Sequence, residues 1–291
     1  MLKRLLVSAC MMALAAGISG PKASAQNSPY TCANVSIFSI PQAGKNPPSV
    51  AGLNDQDTIT GWFVSYKNPQ DIGFVRYANG DLHSYSVPNS QNITMFGGIN
   101  DQDQVVGTYS SNGFLKSGNT LTTIDYPGVP YTSALGINNT GEIVGSYSTG
   151  QMAGGFLYAN NSYSSLVVSG AISTIPTGVN ETGTIVGRFF TSNFDSQGFV
   201  YEAGQFTTVN YPGALNTNLG GINNSGLIAG SWSDAAGNGG GFIYANGEFR
   251  QVLVQGLQNP SVATINNKGD IAGSFISSSG LPTIFLGTGC N

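Results

Sequence analysis

One twelve-residue unit recurs six times along this chain, and it constrains the fold more than any other feature. The unit follows the pattern GINxxGxIVGxY and occupies residues 52–63, 98–109, 136–147, 178–189, 221–232 and 264–275. Its central asparagines are Asn54, Asn100, Asn138, Asn180, Asn223 and Asn266. Successive asparagines lie 38 to 46 residues apart, and a fixed period of this size indicates a repeat architecture.

Each repeat continues with a Gly-Phe-aliphatic run, a turn such as YANG and a final alternating run such as FTTVNYPG. We therefore predict four short strands per repeat, named a to d, with strand a ending at the central asparagine. Four antiparallel strands in one repeat of this length are typical of a β-propeller blade. The predicted fold class is all-β: a single domain over 26–291, forming a six-bladed β-propeller of four-stranded antiparallel blades. The repeat units lie near 52–90, 98–128, 136–168, 178–213, 221–255 and 264–287.

The two ends of the chain are expected to complete the same blade. The sixth repeat stops after strand c, whereas an unpaired strand-like segment, NVSIFSIP, occupies residues 34–41. When Pro41 is aligned with Pro127 and Pro212, this segment matches strand d, so it should close the ring and leave no exposed sheet edge. The same alignment places Cys32 and Cys290 at the turn between strands c and d. We predict a disulfide between them.

The N-terminus has the features of a secretory signal peptide over residues 1–25. Lys3 and Arg4 precede an apolar run too short to span a membrane, and an Ala-Ser-Ala site precedes Gln26. The alternative is a lipoprotein anchored through Cys10. Cleavage would leave seven basic residues against fourteen acidic ones, a net charge of −7. Without a basic stripe, nucleic acid is not an expected partner. The protein is expected to be a monomer, located outside the cell, in the periplasm or on the cell surface.

These repeats resemble those of the HAF family of bacterial extracellular repeat proteins. The resemblance rests on the GINNxGxIVGxY units, the Gly-Phe-Leu strands and Tyr-Pro-Gly at 126–128 and 211–213, and it covers nearly all of 26–291. The resemblance implies a secreted, propeller-like protein without a well-defined activity. The chain departs from the family's His-Ala-Phe stretch, because Gly takes the place of Ala and the His position holds Ile72, Asn112, Gly154, Gln197 and Gly240.

The acidic residues of the a–b turns have two interpretations. Asp57 and Asp103 stand where the other repeats carry Gly, so they are predicted to adopt the left-handed backbone conformation that such a turn requires. The alternative is a calcium site with four oxygen-bearing residues: Asp55, Asp57, Asp101 and Asp103. A calcium loop normally carries more donors and a closing Glu, so the turn interpretation is favoured and no cofactor is assigned.

The repeated asparagine is predicted to form an Asx-type turn, with a ligand-binding ring at one channel mouth as the alternative. The aromatic residues that end strand b are expected to pack between neighbouring sheets: Phe63, Tyr109, Tyr147, Phe189, Trp232 and Phe275. Aromatic rings can also stack on sugars, and the candidate ligand-binding residues are Trp62, Tyr109, Tyr147 and Trp232. The b–c loops at 148–154, 190–197 and 233–240 are further candidates, because rigid scaffolds often carry binding residues on loops.

The sequence offers little for hydrolytic chemistry, and no catalytic residue is assigned. His83 is the only histidine, and neither a Gly-x-Ser-x-Gly motif nor a His/Cys zinc cluster occurs. A glycosidase needs two carboxylates, and Asp125 is replaced by Asn210 in repeat 4. The sequence favours a secreted, non-enzymatic binding or scaffold module for an extracellular polysaccharide or a surface protein. A glycosidase or lyase with a channel-centred site, and a purely structural matrix component, are the alternatives.

Overall fold

The computed structural model describes residues 28–67, 69–91, 93–150 and 153–291, and nearly all regular structure in it is β-strand. The predicted signal peptide and Cys10 lie outside the described residues. The chain begins with β1 (Tyr30–Phe38), followed by one turn of 3-10 helix at Pro41–Ala43. No helix among the described residues is long and apolar enough to cross a membrane.

Repeats 1 to 4 each form a four-stranded antiparallel sheet whose strands pair in sequence order. Repeat 1 contains β2 (Ser49–Leu53), β3 (Ile59–Val64), β4 (Asp71–Arg76) and β5 (Leu82–Tyr85). Repeat 2 contains β6 (Thr94–Ile99), β7 (Val105–Tyr109), β8 (Asn112–Ser117) and β9 (Thr120–Ile124). Repeat 3 contains β10 (Tyr131–Ile137), β11 (Ile143–Ser148), β12 (Ala153–Ala159) and β13 (Ser162–Leu166). Repeat 4 contains β14 (Ser173–Val179), β15 (Ile185–Phe190), β16 (Ser196–Glu202) and β17 (Gln205–Val209).

The last two repeats have the same arrangement, with one strand supplied by the N-terminus. Repeat 5 contains β18 (Asn216–Ile222), β19 (Ile228–Ser233), β20 (Gly239–Ala245) and β21 (Glu248–Leu253). Repeat 6 contains β22 (Ser261–Ile265), β23 (Ile271–Ile276) and β24 (Pro282–Cys290). Its fourth strand is β1, which pairs antiparallel with β24 from Cys32–Cys290 to Phe38–Ile284. The predicted closure is confirmed at the level of strand pairing.

The predicted bounds of this closing strand, 34–41, are wrong. The strand begins at Tyr30 because that side chain is buried and its hydroxyl donates to the carbonyl of Gly269, 2.6 Å away. Tyr30 and Thr31 also pair briefly in parallel with β21. The strand ends at Phe38, and Pro41 instead opens the 3-10 turn, where its fixed φ and missing N–H are tolerated.

The predicted disulfide between Cys32 and Cys290 is present, and the two residues are direct register partners. In repeat 2 the last c–d pair is Ser117–Thr120, and the chain then turns through Gly118 and Asn119. The equivalent pair in repeat 6 is Asn34–Thr288, so the disulfide stands where other repeats have a continuous turn.

The hydrophobic core lies between neighbouring sheets. Ile124 of repeat 2, for example, packs in one cluster with Ile143 and Phe156 of repeat 3. The strand-c phenylalanine is fully buried in every repeat: Phe74, Phe114, Phe156, Phe199, Phe242 and Phe285. Burial of this aromatic surface is the main force that stacks each sheet on the next.

Candidate functional site

The six strands a surround a central channel. Strand a of each repeat lies beside strand a of the next, and β22 of repeat 6 lies beside β2 of repeat 1. Their backbones approach closely: a Cβ placed on Gly136 would lie 2.6 Å from the carbonyl oxygen of Thr177 in the next repeat. Crowding around the channel therefore requires small residues on strand a.

A ring of asparagine amides closes the end of the channel at the a–b turns. In each repeat, Nδ2 of the central asparagine donates to the carbonyl of the next repeat's asparagine at 3.0–3.3 Å. The last member, Asn266, donates to Asn54 and completes the cycle. All six residues are at most 5% exposed.

The same side chains also organise their own turns. Oδ1 of each asparagine accepts the backbone N–H two residues ahead at 3.0–3.2 Å. It also accepts the N–H four residues ahead at 2.9–3.0 Å. The predicted Asx-type turn is confirmed. Because both ends of each buried amide are engaged within the fold, the structure does not present these amides as a ligand-binding ring.

A second ring of polar side chains surrounds the first. The residue after each asparagine uses a side-chain oxygen to accept from the previous repeat, as when Asp101 Oδ1 accepts from the N–H of Asp55 at 2.8 Å. Asp55 in turn accepts from the N–H of Asn267 at 2.8 Å and from its Nδ2 at 3.1 Å. Between repeats 3 and 4, Asn139 Nδ2 instead donates to Glu181 Oε1. These carboxylates join repeats together.

Asp57 and Asp103 have φ angles of 60° and 56°, so both adopt the predicted left-handed conformation. Their carboxylates also have partners: Asp57 Oδ1 lies 2.6 Å from Lys268 Nζ, and Asp103 Oδ1 accepts from Asn54 Nδ2 at 3.1 Å. Within the described ranges, no group of three or more His, Cys, Asp or Glu side chains is placed to hold a metal ion. The four candidate calcium ligands are thus distributed among contacts between repeats.

The channel widens from this closed end towards the opposite face. The cavity inside the asparagine ring has a volume of about 90 Å³. A cavity of about 850 Å³ opens at the beginning of the strands a, and both cavities have Ala51, Thr177 and Gly220 in their walls. We call the larger cavity the wide mouth. The strands b end on this face, so the b–c loops that are predicted to carry binding residues also lie on it.

In five of the six repeats, the residue just before the strand-b aromatic belongs to the inner wall of the wide mouth. The set is Trp62, Thr108, Ser146, Arg188, Ser231 and Ser274, of which all but Ser146 line the cavity. Small polar residues from strand a, among them Ser49, Ser133 and Asn218, add to this wall. Of the four predicted ligand-binding aromatics, Trp62 lines the wide mouth; from the predicted b–c loops, Phe190, Ser196 and Ser233 line it as well.

Arg188 is the one charged residue among the described residues that line the wide mouth. Burial lowers the pKa of its guanidinium. It forms no hydrogen bond or ion pair with any described residue. Arg188 was not among the residues predicted from the sequence, although an alignment of the repeats shows an arginine where the other copies carry Trp, Thr or Ser.

The other three predicted binding aromatics do not line the wide mouth and make ring contacts within the fold, although Trp232 also lines a separate cavity of about 410 Å³. Tyr147 stacks on Tyr126 of the preceding repeat, with centroids 4.1 Å apart and planes at 10°. Trp232 stacks in the same way on Tyr211, at 4.6 Å and 3°. Tyr109 contacts the ring of Phe114 at 6.1 Å. The favoured prediction of packing between sheets is confirmed for Tyr147 and Trp232, and it explains the Tyr-Pro-Gly segments whose tyrosines supply the partner rings.

The remaining titratable candidates lie away from the wide mouth. His83 is exposed on β5 and contacts the ring edge of Tyr77 at 5.5 Å. Asp125 Oδ1 accepts the N–H of Gly113 at 3.1 Å, and Asn210 does the same for Gly198, which explains their exchange between repeats. Burial raises the pKa of Asp125. No Asp or Glu is present among the described residues that line the wide mouth.

Comparison with solved structures gives matches across most of the chain. A candidate gluconolactonase matches at a TM-score of 0.54 and 11% identity, covering 89% of this chain and 93% of its own. A fungal lectin from Aleuria aurantia, described as a six-bladed β-propeller with a novel mode of fucose recognition, matches at 0.51 and 10%, covering 85% and 95%. TolB from Acinetobacter baumannii matches at 0.52 and 13%, covering 80% and 64%.

The chain is a β-propeller. Its four-stranded sheets are the blades. The similarity to the solved structures is limited to the fold, because the sequence identities are between 10% and 13%. No protein-family model matches the propeller's sequence, and a search of curated proteins found no match.

Proposed function

We propose that this chain is a secreted, six-bladed β-propeller that binds an extracellular polysaccharide in its wide mouth. The blade count is supported by the asparagine cycle, which returns to Asn54 after six repeats, and by β1 serving as the missing strand of repeat 6. Secretion is supported by the signal-like N-terminus and by the Cys32–Cys290 disulfide, since disulfides persist in oxidising compartments.

The observation that carries the binding proposal is the chemistry of the wide mouth. Trp62 offers a large aromatic face, and rings of this kind pack against the C–H faces of sugars. The same cavity is lined by Ser49, Ser231, Ser274 and Asn218, whose hydroxyl and amide groups can exchange hydrogen bonds with sugar hydroxyls. Concave sites with few polar groups around an aromatic surface are typical of small-ligand and saccharide binding.

We further propose that this binding is not followed by catalysis. Glycoside hydrolysis uses two carboxylates placed on either side of the bond that breaks. The described residues that line the wide mouth supply hydroxyl groups, side-chain amides on one wall and one guanidinium. These groups suit the recognition of a saccharide. The acidic residues Asp55 and Asp101 at the closed end instead accept hydrogen bonds from the backbone of a neighbouring repeat.

Glycan-array binding of the mature protein, with and without the Trp62→Ala substitution, tests the proposal. Loss of the aromatic face should weaken binding by roughly thirtyfold, equivalent to about 2 kcal/mol. Tyr131→Ala is the matched control, because Tyr131 is 56% exposed at the start of β10 and does not line the cavity. Absence of binding to every glycan would favour the purely structural role, and release of shortened glycans by the wild-type protein would favour the enzyme.

A further inference from the structure

Arg188 in the wide mouth differs from the residues that the other repeats carry at the same position. Arg188 lies on β15 of repeat 4, paired with Ile175 on one side and Gly198 on the other. The equivalent residues of the neighbouring repeats are Ser146 and Ser231, and repeat 6 has Ser274. The scaffold therefore accepts serine here in three of its six repeats, so an arginine is not needed to form the strand.

The folded protein also does not use the charge of Arg188. Its guanidinium has five N–H donors, yet none of them has a partner among the described residues. Arg188 is half-buried, and it lines the wide mouth without a counter-charge from the protein. Burial lowers the pKa of the guanidinium, but an arginine side chain stays protonated in proteins. A cation that lines a cavity and is unpaired within the fold is available to a ligand that enters this cavity.

Arg188 also differs in charge from the residues around it and from the protein as a whole. Without residues 1–25 the chain has a net charge of −7, but no carboxylate is among the described residues that line the wide mouth. An anion that enters the mouth therefore meets a cation and neutral hydroxyls.

We propose that Arg188 anchors an anionic group of the bound saccharide, so that the ligand of the wide mouth is an acidic polysaccharide. This inference rests on the proposed glycan-binding function. A guanidinium presents paired N–H donors that match the two oxygens of a carboxylate or of a sulfate group. Asn218 and Ser231 of the next repeat lie on the same cavity wall and can bond the hydroxyls of the same sugar unit.

The positions of Trp62 and Arg188 give this ligand an orientation. The two residues belong to repeats 1 and 4, which are separated by two repeats in either direction around the asparagine cycle. They therefore stand on opposite sides of the mouth. An oligosaccharide that spans the opening would place an acidic unit on one side and stack a sugar face on the other.

Isothermal titration with matched oligosaccharides tests the inference. The probes are oligogalacturonate, its methyl-esterified and hence uncharged form, and a sulfated dextran oligosaccharide. The proteins are the wild type, Arg188→Ser, Trp62→Ala and Lys116→Ser. Arg188→Ser restores the residue that three other repeats carry, so it should fold. Lys116→Ser removes the same charge from a half-buried residue on β8, outside the mouth.

We expect the wild type to bind an acidic probe at least about tenfold more tightly than the esterified one, and Arg188→Ser to lose that preference. Lys116→Ser should bind as the wild type does, and Trp62→Ala should weaken both charged and uncharged probes. Preference for galacturonate identifies a carboxylate as the anion, and preference for the dextran identifies a sulfate.

Equal binding of charged and esterified probes, unchanged in Arg188→Ser, overturns the acidic-ligand inference and leaves the glycan-binding function standing. Failure of all three probes, together with a glycan array that shows no ligand, overturns both. Acidic binding that persists in Arg188→Ser but is lost in Lys116→Ser places the anion outside the wide mouth and also overturns the inference.

Discussion

At the closed end of the channel every repeat contributes the same asparagine, whereas at the wide mouth the repeats contribute a tryptophan, a threonine, three serines and an arginine. The asparagines are buried, and in each of them both Nδ2 and Oδ1 are hydrogen-bonded within the protein. At the other end, the guanidinium of Arg188 has no partner among the described residues and faces a cavity of about 850 Å³.

The contrast teaches how to separate structure from function in a repeat protein. A residue that recurs in every repeat is explained by contacts that each repeat must make with the next. A residue that departs from the repeat, and that the fold leaves unpaired, needs an explanation outside the fold. Substitutions at the closed end should therefore cost stability, and substitutions at the wide mouth should cost binding. Stability and binding can therefore be measured separately for substitutions at the two ends of the channel.

The largest effect on stability should come from removing the disulfide on the face of the closed end. Cys32 and Cys290 are 258 residues apart, and a cross-link over so long a loop can stabilise a fold by up to about 5 kcal/mol in the chain-entropy model. The Cys32→Ser/Cys290→Ser protein should unfold at a much lower denaturant concentration. Reductant should lower the midpoint of the wild type towards that of the variant and leave the variant itself unchanged. Equal midpoints for the two oxidised proteins would contradict the closing role of the bond.

A smaller but still large loss is expected for Asn138→Ala in the asparagine ring. The substitution removes donation from Nδ2 to the carbonyl of Asn180 at 3.0 Å, and it leaves the N–H groups of Thr140 and Glu142 without their acceptor. The loss of these three bonds, of which the one to Asn180 is buried, should lower the free energy of unfolding by about 3 kcal/mol. Chemical denaturation measures this loss.

Ser146→Ala is the matched control for that experiment, since Ser146 lies in the same repeat on the strand that leads to the wide mouth. It should change the free energy of unfolding by less than about 0.5 kcal/mol. If the two substitutions proved equally destabilising, the division between a structural end and a binding end would fail.

Much of the closed end could be predicted from the sequence because its determinants are local. The Asx turn at Asn138 needs only the turn residues, and the left-handed φ of Asp103 follows from the Gly that other repeats carry there. Donation from Asn138 to Asn180 was not predicted, because it depends on how neighbouring repeats are placed in space. The Tyr30 start of β1 was missed for the same reason, since its hydroxyl bonds a turn 239 residues away.

The wide mouth was predicted less completely, for a different reason. The aromatic candidates were selected by residue type, which cannot distinguish Trp62 in the cavity wall from Trp232 stacked on Tyr211. Arg188 was overlooked because the repeats were compared for what they share. Alignment of the departures from the repeat would have identified it, but only the structure shows that its charge is unpaired.

An effect of up to about 1 kcal/mol is expected for Lys268→Met, where repeat 6 meets repeat 1. Lys268 Nζ lies 2.6 Å from Asp57 Oδ1 and 3.2 Å from Asp270 Oδ2. Burial lowers the pKa of Lys268, but hydrogen bonds and charges from Asp57 and Asp270 outweigh it and raise the pKa above its ordinary value of 10.5. A raised folded-state pKa means that this stability is complete below pH 10.5 and is lost as the pH rises through the folded value.

Thermal unfolding over a range of pH checks the sign of this linkage. The wild type should exceed Lys268→Met in melting temperature at neutral pH, and the difference should shrink above pH 10.5. Lys116→Met, whose lysine has no carboxylate partner, should show no such trend. A difference that grows with rising pH would mean that the contact does not depend on the protonated lysine.

The smallest effect is expected for Asp103→Gly in the a–b turn of repeat 2. Glycine relieves the strain of a left-handed residue, which is worth roughly 1 kcal/mol, while the substitution removes the 3.1 Å bond from Asn54 Nδ2. Asn54 keeps its donation to the carbonyl of Asn100, so the two effects should nearly cancel. Melting curves with millimolar calcium and with EDTA should coincide for the wild type and the variant alike, because backbone conformation and contacts between repeats explain the aspartates. A calcium-dependent rise in the wild type that Asp103→Gly abolishes would instead show that the closed end holds a ligand, and the contrast between the two ends of the channel would have to be abandoned.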